Sequence, residues 1–305
     1  MTSKRKILLG PDLLRFLSVV ALAWLHGKGP GQNYLEVGIY CLILLSVILP
    51  TMGKSRRTFG EFTSQRAQRL LIPYAVFWLA YGLLDVISGK PFFPSLWIIL
   101  DGHNWHLWYL PYAFIVSVLV YQLNAYLTKL PEFQGNLLLL VASTLTVAGT
   151  TLILDRYDFP HRLPMLYLRF APTIPLGLFI GRVLRGGNKE NKYLWLLALI
   201  TATAGTAQYF EHGSSLDPAL SYRYCAALVL VNIAFLWQQG TTEVMQRVTS
   251  LAMAVYLLHP AVAFVLLRLD ISGLNNYGPL FAPALILATL PVAFITLRTP
   301  FKILF

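Results

Sequence analysis

Ten stretches of this chain are each near the length needed to cross a lipid bilayer as an apolar helix. They fall at roughly 9–26, 34–52, 69–87, 107–127, 136–154, 164–184, 193–210, 219–238, 250–268 and 278–297. A hydrocarbon core about 30 Å thick takes about 20 residues at 1.5 Å each. Hydrocarbon offers the backbone no hydrogen-bond partner, so each span has to be helical. The pattern therefore predicts an all-α integral membrane protein, a single bundle of about ten transmembrane helices forming one domain over 1–305. Composition agrees: 56% of the 305 residues are hydrophobic and 12% are charged. A soluble domain carries about twice that charge, so a soluble enzyme, a disordered chain and a disulfide scaffold are all disfavoured.

The charges are informative by position. Clusters occur at Lys4-Arg5-Lys6, at Lys54, Arg56, Arg57, Arg66 and Arg69, and at Arg182, Arg185, Lys189 and Lys192. With ten spans both termini share one side. If that side is cytoplasmic, the inner ends and loops hold 16 Lys/Arg and the outer ones seven: Lys28, Lys90, Arg156, Arg162, Arg169, Arg223 and Arg268. This obeys the positive-inside rule and predicts cytoplasmic termini in a multi-pass protein of the cell's inner (cytoplasmic) membrane. The net charge of +11 is thus topology signal, and no nucleic-acid partner is expected. Cys41 and Cys225 sit inside apolar runs and read as packing residues rather than a disulfide or a metal pair. The N-terminus imitates a signal peptide, but Asp12 and Arg15 interrupt its apolar run, so an uncleaved first helix is expected. The segment FFPSLWIIL (92–100) is too short to span and reads as interfacial or re-entrant. Pro172 and Pro175 predict a kink in the sixth span.

Ionisable groups in the first span stand out, because charge at a helix centre costs about 2.5–3.5 kcal/mol on insertion scales. Asp12 and Arg15 are three apart and can pair on one face. Arg15 and His26 are eleven apart, almost three full turns, so they share a stripe with about 16 Å between them along the axis. Such a stripe suits a ligand lying lengthwise, anionic at the inner end and reacting at the outer. A plain reading stands beside it: Arg15 snorkels to inner headgroups, and His26, before Gly27-Lys28-Gly29-Pro30, ends the helix at the interface.

The run PDLLRFLSVVALAWLH resembles the opening helix of the acyltransferase-3 family of integral membrane acyltransferases, with Arg15 and His26 at the family's spacing. CLILLSVILP resembles its second helix, with Val47 at a position where the family has Gly. FTSQRAQRLLIPY resembles the basic entrance to the third, with Arg66, Arg69 and Pro73 in place. HLWYLP (106–111), IPLGLFIGRVL (174–184) and AVYLLHPAV (254–262) continue the likeness in order along nearly the whole chain. Members that modify lipopolysaccharide carry acidic residues after the aromatic segment, whereas Tyr112-Ala113-Phe114-Ile115 follows it here. This departure points to the shorter branch resembling sugar O-acetyltransferases of the fucose 4-O-acetylase type.

The resemblance implies transfer of an acetyl or other acyl group from acetyl-CoA to a hydroxyl of a cell-envelope or exported polysaccharide sugar, without a covalent acyl-enzyme. Histidine suits the base role, its ordinary pKa lying near 6.5. His26 is the candidate, with Arg15. Arg66 and Arg69, joined by Arg15, are candidates to grip the phosphates of the acyl carrier, although basic residues at an inner helix end also satisfy topology alone. Trp105, Trp108 and Tyr109 are candidates to face the acceptor, or simply an aromatic belt. His106 is a candidate substrate-orienting donor, and Glu36 a group that could orient His26. His103 with His106 makes a lone H-x-x-H, too little for a metal site, and no metal is expected. His259 reads as a bond to a neighbouring helix. The alternative to an enzyme is a transporter or flippase of a polysaccharide or lipid-linked precursor, although the Pro pair at 172 and 175 has no counterpart in the first half, as an internal repeat would require.

Overall fold

Every regular element is an α-helix among the described residues, which are 9–53, 58–104, 106–186, 189–211, 219–237, 243–269 and 280–299 of the computed structural model. By length and composition, six helical stretches can cross a membrane: Leu9–His26, Gln32–Met52, Phe59–Ile87, Tyr109–Leu127, Glu132–Leu154 and Arg162–Arg185. Shorter apolar helical stretches, at Trp195–Thr206, Tyr222–Leu236, Ala252–Arg268 and Phe281–Thr296, fall on the other four segments expected from hydropathy.

The outward faces identify the solvent. In α4 (Phe59–Ile87), Ile72, Val76, Leu79, Leu83 and Val86 recur at three- and four-residue steps, and each is 41–52% exposed. In α7 (Glu132–Arg156), Leu137, Leu138, Val141 and Leu145 form a similar exposed stripe. A surface helix in water turns its polar side outward. These turn aliphatic side chains outward, as contact with lipid requires.

The chain divides into two compact units, one joining Met1–Leu45 to Arg223–Phe305 and the other running Ser46–Tyr222. The boundaries fall inside α3 (Val37–Met52) and α11 (Ala219–Leu236). In the first unit, α1 (Leu9–His26) is the hub. It packs on α2 (Gln32–Leu35), α12 (Glu243–Ser250), α13 (Ala252–Arg268) and α14 (Phe281–Thr296), and α13 also packs along α14. Two glycines set close approaches of α1, Gly10 to α11 and Gly27 to α14. A Cβ on Gly10 would collide with the Ala234 carbonyl, and one on Gly27 would lie 2.7 Å from the Ala282 Cα. Both obstacles are close to backbone and cannot swing aside.

In the second unit, α4 packs on α6 (Tyr109–Leu127), and α7 packs on α8 (Arg162–Phe170), α9 (Thr173–Arg185) and α10 (Lys189–Glu211). α4 begins ten residues before the apolar stretch read from sequence. Thr58 accepts from the Glu61 N–H at 3.3 Å, and Glu61 accepts from the Thr58 N–H at 2.8 Å. This capping box satisfies two donors at the helix start and carries the helix through the charged stretch. The segment at 92–100 leads into α5 (Ile98–Asp101), a four-residue helix that does not span. Tyr74 Oη donates to the Ile99 carbonyl at 2.6 Å and Trp78 Nε1 to the Ile98 carbonyl at 2.8 Å, docking it on α4.

At Pro172 and Pro175 the helical ladder is interrupted, as a kink requires, while Ala171 and Pro172 keep αR backbone. α8 ends at Phe170, and Pro172 caps the start of α9. Proline at 172 or 175 has no N–H to continue the ladder from α8. Thr173 Oγ1 instead donates to the Phe170 carbonyl at 2.6 Å across the break. Gly10→Val should cost about 1–3 kcal/mol through overpacking, read as a lower Tm in detergent. Gly149→Ala, where nothing lies within 4 Å of the new Cβ, should leave Tm unchanged or raise it slightly.

Candidate active site

In the first unit, α1 brings its ionisable residues to opposite ends of one helix. Asp12 lies in the first turn, where a carboxylate meets the positive end of the helix dipole. Arg15 Nη1 donates to Asp12 Oδ1 at 3.0 Å, the pairing expected from the three-residue step. The Arg15 side chain remains 41% exposed.

His26 is the last residue of α1. Its Nδ1 lies 2.6 Å from Nε2 of His259 on α13, with ring centroids 4.8 Å apart and planes tilted by 33°. His259 is fully buried. Its own Nδ1 lies 3.0 Å from the Val255 carbonyl, with the Tyr256 carbonyl also in bonding reach. Pro260 follows inside the helix and has no N–H to offer the Tyr256 carbonyl four residues back. Carbonyls only accept, so Nδ1 of neutral His259 carries the proton and its Nε2 carries the lone pair. The short bond then requires Nδ1–H of His26 to donate. Nε2 of neutral His26 is therefore a lone-pair nitrogen, and that atom is buried. The sequence suggested a helix-to-helix bond for His259 but could not supply its partner, which lies 233 residues away.

Glu36, thought able to orient His26, makes a short ion pair with Arg223, Oε2 to Nη2 2.6 Å, with the two side chains 18% and 5% exposed. Tyr40 and Tyr224, on the same two helical stretches, meet edge to face at 5.0 Å. Arg223 had been counted only as an outer-end charge. Its position within an apolar run was the available signal that it needs a buried partner.

The second unit holds the other candidates. Arg66 and Arg69 lie three apart on α4. The Arg66 guanidinium sits 5.5 Å from the Phe62 ring, which stacks on Tyr121 at 4.6 Å, and Arg69 is exposed. His106 is buried with Nδ1 2.9 Å from Asn104 Oδ1. Trp108 is also buried, stacked on Phe170 at 5.2 Å and 18°, so one face of this indole is covered by protein. Tyr109 Oη lies 3.0 Å from Ser46 Oγ. Trp105 lies outside the described residues.

His103 is held separately from His106. Its Nδ1 lies 3.3 Å from Asp85 Oδ2, and its ring packs against Trp78, Phe92 and the face of Gly82. Neither Asp85 nor Asp101 was singled out from the sequence. The Asp101 carboxyl is pushed above its ordinary range by burial, partly offset by the Arg162 guanidinium. Among the described residues, no three His, Cys, Asp or Glu gather as a metal site would need.

Residues 8–298 match a family model described as an acyltransferase domain, Acyl_transf_3. The chain belongs to the acyltransferase-3 family. No curated protein and no solved structure gave a match. Membership in the acyltransferase-3 family, with the lipid-facing helices, makes this a multi-pass membrane acyltransferase. The enzyme's buried ion pair is open to a direct test. Glu36→Ala removes the carboxylate from the buried Arg223 and should cost about 3–5 kcal/mol. Adding Arg223→Met should restore most of that Tm loss in detergent.

Proposed function

We propose that this acyltransferase moves acetyl from cytoplasmic acetyl-CoA to a hydroxyl of a cell-envelope or exported polysaccharide sugar. It works in the cell's inner membrane as a ten-span protein with both termini in the cytoplasm. The observation that carries this reading is the orientation of His26: its Nδ1–H is committed to a buried acceptor, which leaves Nε2 as the basic nitrogen.

A direct transfer needs few steps. Nε2 of His26 takes the acceptor hydroxyl proton as the oxygen attacks the thioester carbonyl carbon. The C–O bond forms and the carbonyl electron pair moves onto its oxygen. When that pair returns, the C–S bond breaks. The leaving thiolate takes the proton back from Nε2, giving the sugar ester and free CoA. No metal is needed for this sequence.

Arg66 and Arg69 are assigned to the donor's phosphates. Guanidinium forks match phosphate oxygens, and three-residue spacing on α4 puts both on neighbouring positions of one face. Arg15, already balanced by Asp12, is assigned to the donor by its place on the family's opening helix. The acceptor is assigned to Trp105, His106, Trp108 and Tyr109, with Trp108 acting through its packing on Phe170, and to Glu36 as fixed by Arg223.

His26→Ala should abolish acetyl transfer from labelled acetyl-CoA to a panel of free hexoses and deoxyhexoses while leaving membrane insertion intact. Full activity in that variant would overturn the base assignment. No acceptor-dependent consumption of acetyl-CoA in the wild type would instead favour a carrier role. Arg66→Ala and Arg69→Ala should each raise KM for acetyl-CoA about 10- to 100-fold, the worth of a hydrogen bond to a charged group, with a smaller change in kcat.

A further inference from the structure

We propose that His259 is the positioning residue of the transfer reaction, a neutral hydrogen-bond acceptor that selects the reactive tautomer of His26. This deepens the reading of His26 as the base and rests on it.

A neutral histidine base can hold its single proton on either ring nitrogen, and only one of the two forms presents a lone pair at Nε2. In the first unit this choice is made by a chain of three acceptors and donors. The Val255 carbonyl accepts from Nδ1–H of His259 at 3.0 Å, and Nε2 of His259 accepts from Nδ1–H of His26 at 2.6 Å. The chain starts at a group that cannot donate, so its direction is fixed along its whole length. Pro260 reinforces it by leaving the Tyr256 carbonyl without its usual helical donor beside the same Nδ1–H.

The arrangement also bears on the reaction itself. When Nε2 of His26 accepts the hydroxyl proton, the ring becomes an imidazolium with both nitrogens protonated. Its Nδ1–H already points at the lone pair of His259, so the new charge forms against a waiting acceptor. His26 later gives the Nε2 proton to the departing thiolate, and His259 neither gains nor loses a proton through the cycle. Catalytic histidines elsewhere are often oriented by a carboxylate. A carboxylate at a fully buried position carries a heavy desolvation cost. A neutral imidazole supplies the same lone pair without a second charge.

The α13 backbone makes the placement rigid. His259 has no solvent exposure, and its helix packs along both α1 and α14. The Tyr256 ring lies 6.4 Å from its own. The side chain therefore orients His26 from inside the unit.

The experiment uses full-length protein labelled with ¹⁵N-histidine in detergent, the His26 signals being assigned by their loss in His26→Gln. The wild type should show His26 protonated at Nδ1 and bare at Nε2. His259→Leu should lose this preference, and with free fucose as the acceptor probe its kcat should fall about 100-fold while KM for acetyl-CoA stays within twofold. His259→Gln, whose Oε1 can accept where Nε2 does, should restore the tautomer and bring kcat to within tenfold of wild type. A wild-type His26 protonated at Nε2 would overturn the proposal, even if His26→Ala is inactive and the base assignment stands. A folded His259→Leu retaining the Nδ1–H form would overturn it too. If His259→Leu does not fold, the wild-type and His259→Gln spectra decide. Activity surviving in His26→Ala would remove the base reading while leaving the tautomer measurement intact.

Discussion

Hydrocarbon accepts no hydrogen bonds, and nearly every polar feature of this protein follows from that. Hydroxyls in the apolar helices turn back onto their own backbone: Thr51 to Val47, Ser117 to Ala113, Ser143 to Leu139, Thr151 to Val147 and Thr289 to Leu285. Each spends its proton on the carbonyl one turn earlier, which lets a polar residue sit in a span at little cost. Groups too long or too charged for this solution need partners on other segments. Glu36 with Arg223 and His26 with His259 are such pairs in the first unit. In each of them one member is deeply buried.

The constraint explains what could be read in advance. A helix that must satisfy itself announces its existence by an apolar run, and such runs placed the helices found here. Local partners were legible too, because Asp12 and Arg15 meet through helical geometry alone. The start of α4 was misjudged because its first turns are charged, although Thr58-x-x-Glu61 was a readable capping signal. Pro172 and Pro175 were legible as the interruption that separates α8 from α9.

Partners distant in sequence were not legible. Nothing in AVYLLHPAV says which ring His259 will meet, and nothing in the aromatic segment says that Phe170 will cover a face of Trp108. Both facts come from packing between helices. The sequence did mark His259 as unusual, a histidine where an apolar side chain was expected. It supplied the question, and the tertiary structure supplied the partner.

Arg182 shows how this affects the inner charges. Counted along the chain, it is one of many basic residues setting orientation. In the structure it is buried, and its guanidinium donates to the carbonyls of Leu127 at 2.5 Å, Leu130 at 2.9 Å and Pro131 at 3.2 Å. Leu127 is the last residue of α6 and Pro131 the N-cap of α7, so the guanidinium ties the end of one helix to the start of the next. A charge used only for orientation could move along the inner face, or become lysine, without consequence. This one is anchored to a place and a shape, because only a planar fork reaches several carbonyls at once. The turn from α6 to α7 is therefore as fixed in length as the helices it joins, and a residue inserted there would unseat a side chain more than fifty positions away.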